Sequence, residues 1–216
     1  MTDQRKRVVE SGYDSMAEGY LKWAGVIEDA ARDRFLSEFS KRLPNGAHVL
    51  DLGCGAGEPS TRILAERFAV VGVDISEAQL ELARERVPGA KFVHGDMTDV
   101  IFPEAAFAGI TAFYSISHIP REDHGELFRQ IAVWLEPGGF LLATLGAIGI
   151  PDWTGEWLGV PMFFSSHDAE TNRELLRAAG FELLLDEIVE SREPEGPVKF
   201  LWILAHKSAL LVSIIG

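Results

Sequence analysis

Three aspartates each stand at or just beyond the end of a short apolar run. Asp51 ends HVLD, Asp74 ends FAVVGVD, and Asp96 follows KFVH after one glycine. If these runs are parallel strands, their carboxyl ends meet at one edge of a sheet, which is where open α/β folds bind ligands. For each aspartate alone, a turn residue at a strand end is the favoured interpretation. The three together predict a site for a ligand rich in hydrogen-bond donors.

A glycine-rich segment, DLGCGAG at residues 51–57, leads from the first of these runs into a helical pattern. Its three glycines remove side chains, so a ligand can lie against the backbone, and they permit dihedral angles that other residues resist. Dinucleotide-binding loops have a longer glycine spacing, and the position of their third glycine is here Glu58. A carboxylate there disfavours a pyrophosphate. The acidic rim therefore predicts a ligand that carries positive charge.

The second and third aspartates suit the two halves of a nucleoside. Asp74 lies about 20 residues after Gly53, a spacing at which a carboxylate accepts the hydroxyls of a ribose. Asp96 is placed to accept from the amino group of an adenine, and Met97 and Ile75 offer apolar contact to the ring. These residues predict an adenosine-containing ligand.

The elements that position these residues alternate between strand and helix. Apolar runs predict strands at residues 49–52, 68–74, 91–94, 108–114, 140–145, 181–189 and 199–205. Helical periodicity and capping signals predict helices in about the first 24 residues and at residues 26–43, 59–67, 76–87, 122–135 and 168–179. Such alternation implies right-handed crossovers and a sheet covered on both faces. The predicted fold is α/β: a doubly wound, Rossmann-like, seven-stranded, mostly parallel sheet with an antiparallel edge strand and an N-terminal helical lid.

One helix start carries a specific signal. Ser76 followed by Gln79 has the form of a capping box. In that motif the serine side chain accepts from the backbone N–H of the third residue on, and the glutamine side chain returns to the serine N–H. The pattern predicts that both side chains are used to begin the helix.

The bulk composition narrows the possible partners. A net charge of −13 repels a phosphate backbone, and no basic patch offsets it, so a small molecule is favoured over nucleic acid. The single cysteine, Cys54, excludes an intramolecular disulfide and fits a reducing compartment. No apolar run is long enough to span a membrane. We expect a cytoplasmic monomer or homodimer with a small-molecule substrate and no nucleic-acid or membrane partner.

Four segments carry a resemblance to a known family: HVLDLGCGAGEPS, VVGVDIS, HGDM and WLEPGGFLLATLG. They resemble the class I S-adenosylmethionine-dependent methyltransferases, and most of all the small-molecule branch that includes the quinone-biosynthesis methyltransferases. The resemblance covers about residues 8–207. It implies S-adenosylmethionine as cofactor, S-adenosylhomocysteine as product, and methyl transfer to O, N or C of a small metabolite.

The resemblance also implies residue roles. The residues around the methionine portion of the cofactor would be Asp51, Gly53, Cys54, Gly55 and Gly57. Those around its adenosine would be Asp74, Ile75, Asp96 and Met97. Tyr114 matches the place where the family's backbone meets the methionine portion. Tyr13 and Tyr20 resemble the lid tyrosines of some relatives, and they are equally well core aromatics on one helix face.

His118 is the predicted catalytic base. It follows the fourth predicted strand, on a loop expected to face the transferred methyl group, and an imidazole titrates near neutrality. The alternative is a structural histidine at the turn before a helix. His124, in the first turn of that helix, is expected at the surface. No histidine is spaced as a metal ligand with acids or with Cys54, so no metal site is predicted, and the cysteine has no histidine partner to make it a nucleophile.

The segment at residues 150–166, which lacks a regular period, is rich in large apolar side chains. These are Trp153, Trp157, Met162, Phe163 and Phe164. A segment in this position of the fold covers the active site, which predicts an apolar or aromatic methyl acceptor bound by these residues. The alternative is that they only pack the segment onto the sheet or form a dimer contact.

The chain is expected to form one methyltransferase domain at residues 1–208, followed by an apolar tail at residues 209–216. The expected parts of the domain are a helical lid (1–43), a cofactor-binding half (44–146), and a substrate-covering insertion with edge strands (147–208). Two other functions are possible for a glycine loop on this fold. The short glycine spacing and the acidic rim disfavour an NAD-dependent oxidoreductase, whereas a non-catalytic domain that binds S-adenosylmethionine is left open.

Overall fold

The computed structural model describes residues 3–27, 29–194 and 196–208. Its helices are α1 (Gln4–Ala24), α2 (Ala30–Lys41), α3 (Ser60–Ala65), α4 (Glu77–Arg86), α5 (Arg121–Trp134) and α6 (Ala169–Ala178). Its strands are β1 (His48–Leu52), β2 (Ala69–Asp74), β3 (Lys91–His94), β4 (Phe107–Ala112), β5 (Leu135–Gly146), β6 (Ile150–Trp157), β7 (Val160–Ser166), β8 (Phe181–Glu193) and β9 (Gly196–Lys207). None of the helices among these residues is long and apolar enough to cross a membrane. The tail at residues 209–216 lies outside the described part of the chain.

Seven strands form one sheet in the order β3-β2-β1-β4-β5-β9-β8. The first five pair in parallel, and β9 runs antiparallel between β5 and the edge strand β8. At the centre, Leu50 of β1 pairs with Val71 of β2 on one side and with Ile110 of β4 on the other. The predicted doubly wound α/β fold is confirmed. The strand order reverses between β1 and β4, so ligands are expected at the carboxyl ends of these two strands.

Helices cover both faces of the sheet. On one face, Phe128 of α5 is buried in the same cluster as Ile110 of β4. On the other face, Phe35 and Phe39 of α2 are buried with Trp202 of β9, and the rings of Phe35 and Trp202 stack with their centroids 5.1 Å apart. Burying one such side chain stabilises the fold by about 1.5–3 kcal/mol. The helices packed on the two faces fix the position of the sheet edge that carries the site.

The segment at residues 150–166 is a β-hairpin, which corrects the expectation of an irregular stretch. β6 and β7 pair antiparallel as a separate two-stranded sheet. The turn residues Leu158 and Gly159 both have positive φ, 52° and 82°, as a tight hairpin turn requires. The hairpin escaped prediction because large apolar residues occur on both faces of β7, so no alternation marks it. Met162 packs against Gly12 of α1, where an added Cβ would lie 2.7 Å from the methionine Cε.

Only half of the predicted capping box at the start of α4 is formed. The backbone N–H of Gln79 donates to Oγ of Ser76 at 3.2 Å, as expected. The N–H of Ser76, however, donates to Oδ1 of Asp74 at 2.9 Å, so the return bond from the glutamine side chain is absent. Asp74, at the end of β2, accepts from the N–H of Ser76 in place of Gln79, because its carboxylate is nearer in sequence and charged.

His124 is buried, and its expected surface position was wrong. Only 2% of the residue is exposed, and Nε2 donates to the carbonyl oxygen of Ile119 at 3.0 Å. It stands one helical turn before Phe128 and so shares the core-facing side of α5. The polar residues around it, REDHGE, gave no sign of which face it occupies.

Candidate active site

A cavity lies at the carboxyl ends of β1, β2 and β4, beside the point where the strand order reverses. We call it the inner cavity. Nine of the residues predicted to bind the cofactor line it: Tyr13, Tyr20, Gly53, Gly55, Asp74, Ile75, Asp96, Met97 and Tyr114. The structure thus brings together residues from α1, the glycine loop and the ends of three strands, as the sequence pattern predicted they would meet.

The three glycines of the loop differ in what surrounds them. Their φ values are all positive, at 72°, 53° and 78° for Gly53, Gly55 and Gly57. A Cβ on Gly53 would lie 2.2 Å from Cβ of Ser115, and one on Gly57 would lie 2.9 Å from a side-chain carbon. A Cβ on Gly55 would have only one neighbour, Oε1 of Gln79 at 3.7 Å. Gly53 and Gly57 therefore lack a side chain because neighbouring protein atoms occupy its place. Of the three loop glycines, only Gly55 has open space where a side chain would be.

Asp74 ends β2 with its carboxylate buried at the wall of the inner cavity. Its Oδ2 accepts from the backbone N–H of Gly55 at 2.8 Å and its Oδ1 from that of Ser76 at 2.9 Å. Burial raises the pKa of Asp74, and the two hydrogen bonds lower it. Burial is the larger effect, so the pKa is about 6. Each oxygen retains a further lone pair with which to accept from a ligand hydroxyl.

Asp51 lies on a neighbouring space, which we call the loop cavity, bounded by the glycine loop and α2. Its two oxygens accept from the hydroxyls of Thr61 at 2.6 Å and Thr111 at 2.7 Å, and burial raises its pKa. Cys54 lines the same cavity, and burial together with the charge of Asp74 raises the pKa of its thiol well above the usual range. The thiol is therefore protonated near neutral pH, which leaves no thiolate to act as a nucleophile.

Asp96 is held by a residue that sequence reasoning missed. Lys6 of α1 places its Nζ 2.9 Å from Oδ2 of Asp96, and Oδ1 accepts from the backbone N–H of Thr98 at 2.7 Å. Lys6 also lines the inner cavity. One sequence signal points to Lys6: it stands seven residues before Tyr13 and fourteen before Tyr20, so all three lie on one face of a helix.

α1 is fastened over the inner cavity at two further points. Oδ1 of Asp14 accepts from the hydroxyl of Ser76 at 2.6 Å and from the N–H of Ala78 at 3.2 Å, so α1 caps the start of α4. Arg5 forms ion pairs with Glu122 at 2.7 Å and with Asp152 at 2.6 Å, which join α1 to α5 and to the hairpin. The N-terminal helix is thus a wall of the site.

His118 and Tyr13 meet where the inner cavity adjoins a larger one. Nε2 of His118 lies 2.8 Å from the phenolic oxygen of Tyr13, and Nδ1 lies 2.9 Å from the carbonyl oxygen of Phe163. A carbonyl only accepts, so Nδ1 carries the proton and Nε2 accepts from the tyrosine. Burial lowers the pKa of His118 to about 4, although the bond to Phe163 opposes it. The imidazole is neutral near pH 7.

The larger space, the outer cavity, has a volume of about 520 Å³. Tyr13, Tyr20, Tyr114 and His118 line both it and the inner cavity. Two of the residues predicted to bind the acceptor, Trp157 and Phe164, are on its wall. Trp157 also packs against Trp23 of α1, with ring centroids 5.3 Å apart.

The other residues predicted to bind the acceptor lie elsewhere. Met162 and Phe163 are fully buried in the cluster between the hairpin and α1. Trp153 is 43% exposed, and its ring lies against that of Phe164 with centroids 5.9 Å apart. The structure therefore divides the five aromatic and apolar residues of the hairpin between cavity wall, core and surface.

Arg32 of α2 is a second residue that the sequence gave no reason to choose, and it lines both the loop cavity and the outer cavity. Its Nη2 lies 3.2 Å from Oδ2 of Asp29, which also accepts a hydrogen bond from the phenol of Tyr114. The guanidinium lies 5.3 Å from the centre of the Tyr114 ring. Its Nε is buried and has no hydrogen-bond partner. A buried donor of this kind fits a carboxylate.

Comparison with known proteins agrees with this geometry. Residues 49–139 match the family model described as a methyltransferase domain. The 27-O-demethylrifamycin SV methyltransferase of Amycolatopsis mediterranei (strain S699) is 30% identical over 209 residues, which cover 87% of this chain and 72% of that protein. The demethylmenaquinone methyltransferase of Listeria monocytogenes serotype 4a (strain HCC23) is 27% identical over 165 residues, covering 71% and 68%. Three other relatives are matched over only 40% to 46% of their own length.

Among solved structures, the chain is similar to the 1,6-didemethyltoxoflavin-N1-methyltransferase of Burkholderia thailandensis, solved with 1,6-didemethyltoxoflavin and S-adenosylhomocysteine bound. The TM-score is 0.70 at 23% identity, and the match covers 94% of this chain and 88% of that one. At this level of identity the likeness concerns the fold.

The fold, the strand-end aspartates and the glycine loop define an S-adenosylmethionine-dependent methyltransferase of class I. This chain belongs to that family. The methyltransferases that it is similar to include ones that act on small molecules. It is an enzyme, and S-adenosylmethionine is its cofactor. The residues present fit this molecule: the carboxylates of Asp74 and Asp96 line the inner cavity, and Arg32, whose buried Nε has no hydrogen-bond partner, lines the loop cavity. Among the described residues, no three His, Cys, Asp or Glu side chains converge on a metal position.

Proposed function

We propose that this enzyme methylates an oxygen, nitrogen or carbon atom of a small apolar or aromatic metabolite that binds in the outer cavity. The observation that carries the proposal is the junction of the two cavities. Tyr13 and His118 line both spaces, so a molecule in the outer cavity and one in the inner cavity would meet beside this hydrogen-bonded pair.

The residues that would hold the cofactor are distributed over the inner and loop cavities. Asp74 would accept from the ribose hydroxyls, and Asp96 from the adenine amino group, with Met97 and Ile75 against the ring. The remaining contacts would come from Gly53, Gly55 and Cys54 of the loop, from Asp51 near the amino group, and from the backbone of Tyr114. Arg32 would face the carboxylate of the methionine portion, which its unpartnered Nε supports.

The bound sulfonium supplies a methyl group that is already activated for in-line attack, so the protein needs mainly to align the acceptor and exclude water. Residues of α1 line both cavities and residues of the hairpin line the outer one, which supports the proposed division into a lid (1–43), a cofactor-binding half (44–146) and a substrate-covering part (147–208). Excluding water from the site would favour methyl transfer over hydrolysis.

Tyr13 and His118 handle the proton when the acceptor carries one. The phenol of Tyr13 faces the acceptor and donates to Nε2 of His118, and the Nδ1–H bond to Phe163 fixes the ring. A proton leaving the acceptor passes to the Tyr13 oxygen while the tyrosine proton passes to Nε2. For an acceptor that reacts as a neutral amine or carbon, the pair serves only to orient it.

The wall of the outer cavity supports an aromatic or otherwise flat acceptor. Tyr20 and Trp23 stack with ring centroids 5.8 Å apart, and Trp157 lies edge-on between Trp23 and Phe164. Flat rings bound against such side chains gain contact area and favourable ring geometry. The relatives' names mention 27-O in one case and N1 in another, so the acceptor atom of this enzyme is left open.

The test is a screen for methyl transfer from labelled S-adenosylmethionine to phenols, quinols and aromatic amines, followed by a matched pair of variants. With any accepted compound, Trp157→Ala should raise KM at least about tenfold and leave the Kd for S-adenosylhomocysteine within about twofold. Trp153→Ala, in the same strand but 43% exposed and not on the wall of the outer cavity, should change neither. Equal effects of the two substitutions on KM would refute the placement of the acceptor.

A further inference from the structure

Gln79 has a buried side-chain amide with nothing to bind. The residue is 1% exposed and lies in the first turn of α4, on the wall of the inner cavity. Neither Oε1 nor Nε2 has a hydrogen-bond partner. Buried amides in proteins are nearly always paired, so an unpartnered one on a cavity wall points to a ligand.

Its surroundings explain why the amide is free. In a capping box it would return to the N–H of Ser76, but that donor belongs to Asp74. The other oxygen of Asp74 takes the N–H of Gly55, and Oε1 of Gln79 would be the nearest neighbour of a Cβ on that glycine, at 3.7 Å. The amide is thus beside the one loop glycine that faces open space, next to the carboxylate at the end of β2.

We infer that Gln79 binds the ribose of the cofactor together with Asp74. The two hydroxyls of a ribose each donate one hydrogen bond and accept others. A carboxylate can only accept from them, whereas an amide both donates through Nε2 and accepts through Oε1. Gln79 therefore supplies the donor that Asp74 lacks. This inference depends on the cofactor alone and is independent of the proposed acceptor and of His118.

Calorimetric titration of Gln79→Met tests it, because methionine has a similar length and no hydrogen-bonding amide. The probes are S-adenosylhomocysteine and its 2′-deoxy and 3′-deoxy analogues. We expect the substitution to weaken binding of S-adenosylhomocysteine about tenfold or more, and to weaken binding of one deoxy analogue, the one without the hydroxyl bound by Gln79, by less than about twofold. Unchanged binding of S-adenosylhomocysteine would overturn the inference. An equal loss for all three ligands would also overturn it, since the partner of the amide would then lie outside the ribose.

The unliganded protein gives a second readout that needs no cofactor. Because the amide has no partner within the protein, Gln79→Met should leave the Tm unchanged or raise it. A marked fall in Tm would mean that the amide has an internal partner, which contradicts the inference. Gln130→Met is the matched control: its Oε1 is likewise buried without a partner, but it lies on α5, away from the inner cavity, so its effect on ligand binding should be within about twofold.

Discussion

The phenolic oxygen of Tyr13 lies 2.8 Å from Nε2 of His118, although 105 residues separate the two in sequence. This bond joins the N-terminal helix to the loop after β4 at the place where the inner and outer cavities adjoin. It also sets the tautomer of the imidazole, because the other nitrogen faces a carbonyl oxygen. A residue of α1 and a residue of the loop after β4 are thus held together by one hydrogen bond.

We expect His118 to be the Nδ1–H tautomer and to stay neutral from pH 8 down to about pH 5, since burial lowers its pKa to about 4. Proton-detected ¹⁵N spectra of the histidines, recorded against pH, measure both properties without an acceptor. His118→Gln provides the assignment. Where the acceptor carries a proton, His118→Gln should lower kcat at least about a hundredfold with little change in the Kd for S-adenosylhomocysteine. An Nε2–H tautomer, or a pKa above 6, would contradict the proposed role.

Gly53→Ala and Gly55→Ala should separate stability from ligand binding. Both positions have positive φ, which costs an alanine about 1 kcal/mol. At Gly53 the added methyl also collides with Ser115 at 2.2 Å, so the larger loss of unfolding free energy is expected there. At Gly55 the methyl enters open space, so only the backbone cost remains: the expected result is a fall in Tm of about 2–4 °C and at least about tenfold weaker binding of S-adenosylhomocysteine. Thermal melts measure the loss of stability and calorimetry measures the affinity for S-adenosylhomocysteine. A larger loss of stability for Gly55→Ala than for Gly53→Ala would refute this assignment.

Arg32→Met should weaken binding of S-adenosylhomocysteine about tenfold or more, because the guanidinium would face the carboxylate of the methionine portion. The decarboxylated analogue, S-adenosyl-3-thiopropylamine, keeps the amino group and lacks that carboxylate. Its affinity should be nearly the same for the wild type and the variant. If both ligands lose affinity equally, Arg32 acts through the fold or through Asp29, and its assignment to the carboxylate fails.

The stability of the protein should fall as the pH is lowered from 7 to 5. The pKa values of buried His118 and His124 are both lowered to about 4 in the folded state, so over this range only the unfolded chain takes up these two protons. Linkage then costs about 2 kcal/mol for each histidine. Asp74 acts in the opposite direction, since its pKa is raised to about 6 and protonation favours the folded state. In denaturant unfolding, His124→Gln should lose about 2 kcal/mol less than the wild type over this range. Equal losses would show that His124 is not responsible.

The sheet and the meeting of Asp51, Asp74 and Asp96 near one edge were predictable because both depend on local periodicity and on a general rule of parallel topology. Arg32 was not predictable as a site residue, and Lys6 was marked only by its seven-residue spacing from Tyr13 and Tyr20. Each is an ordinary charged residue of a helix until that helix docks on the sheet. The hairpin was missed because both faces of β7 are apolar, and the position of His124 because its neighbours in sequence are polar. These features were not predicted because they depend on contacts between elements that are distant in sequence.

One helix forms a wall of both cavities: Tyr13 and Tyr20 of α1 line the inner and the outer cavity. The bonds from Asp14 to Ser76 and from Lys6 to Asp96 hold this helix in place before any ligand binds. A ligand in either cavity would therefore rest against side chains that a ligand in the other also contacts, so we expect the two occupancies to be coupled. By linkage, S-adenosylhomocysteine and an acceptor analogue should raise each other's affinity by the same factor.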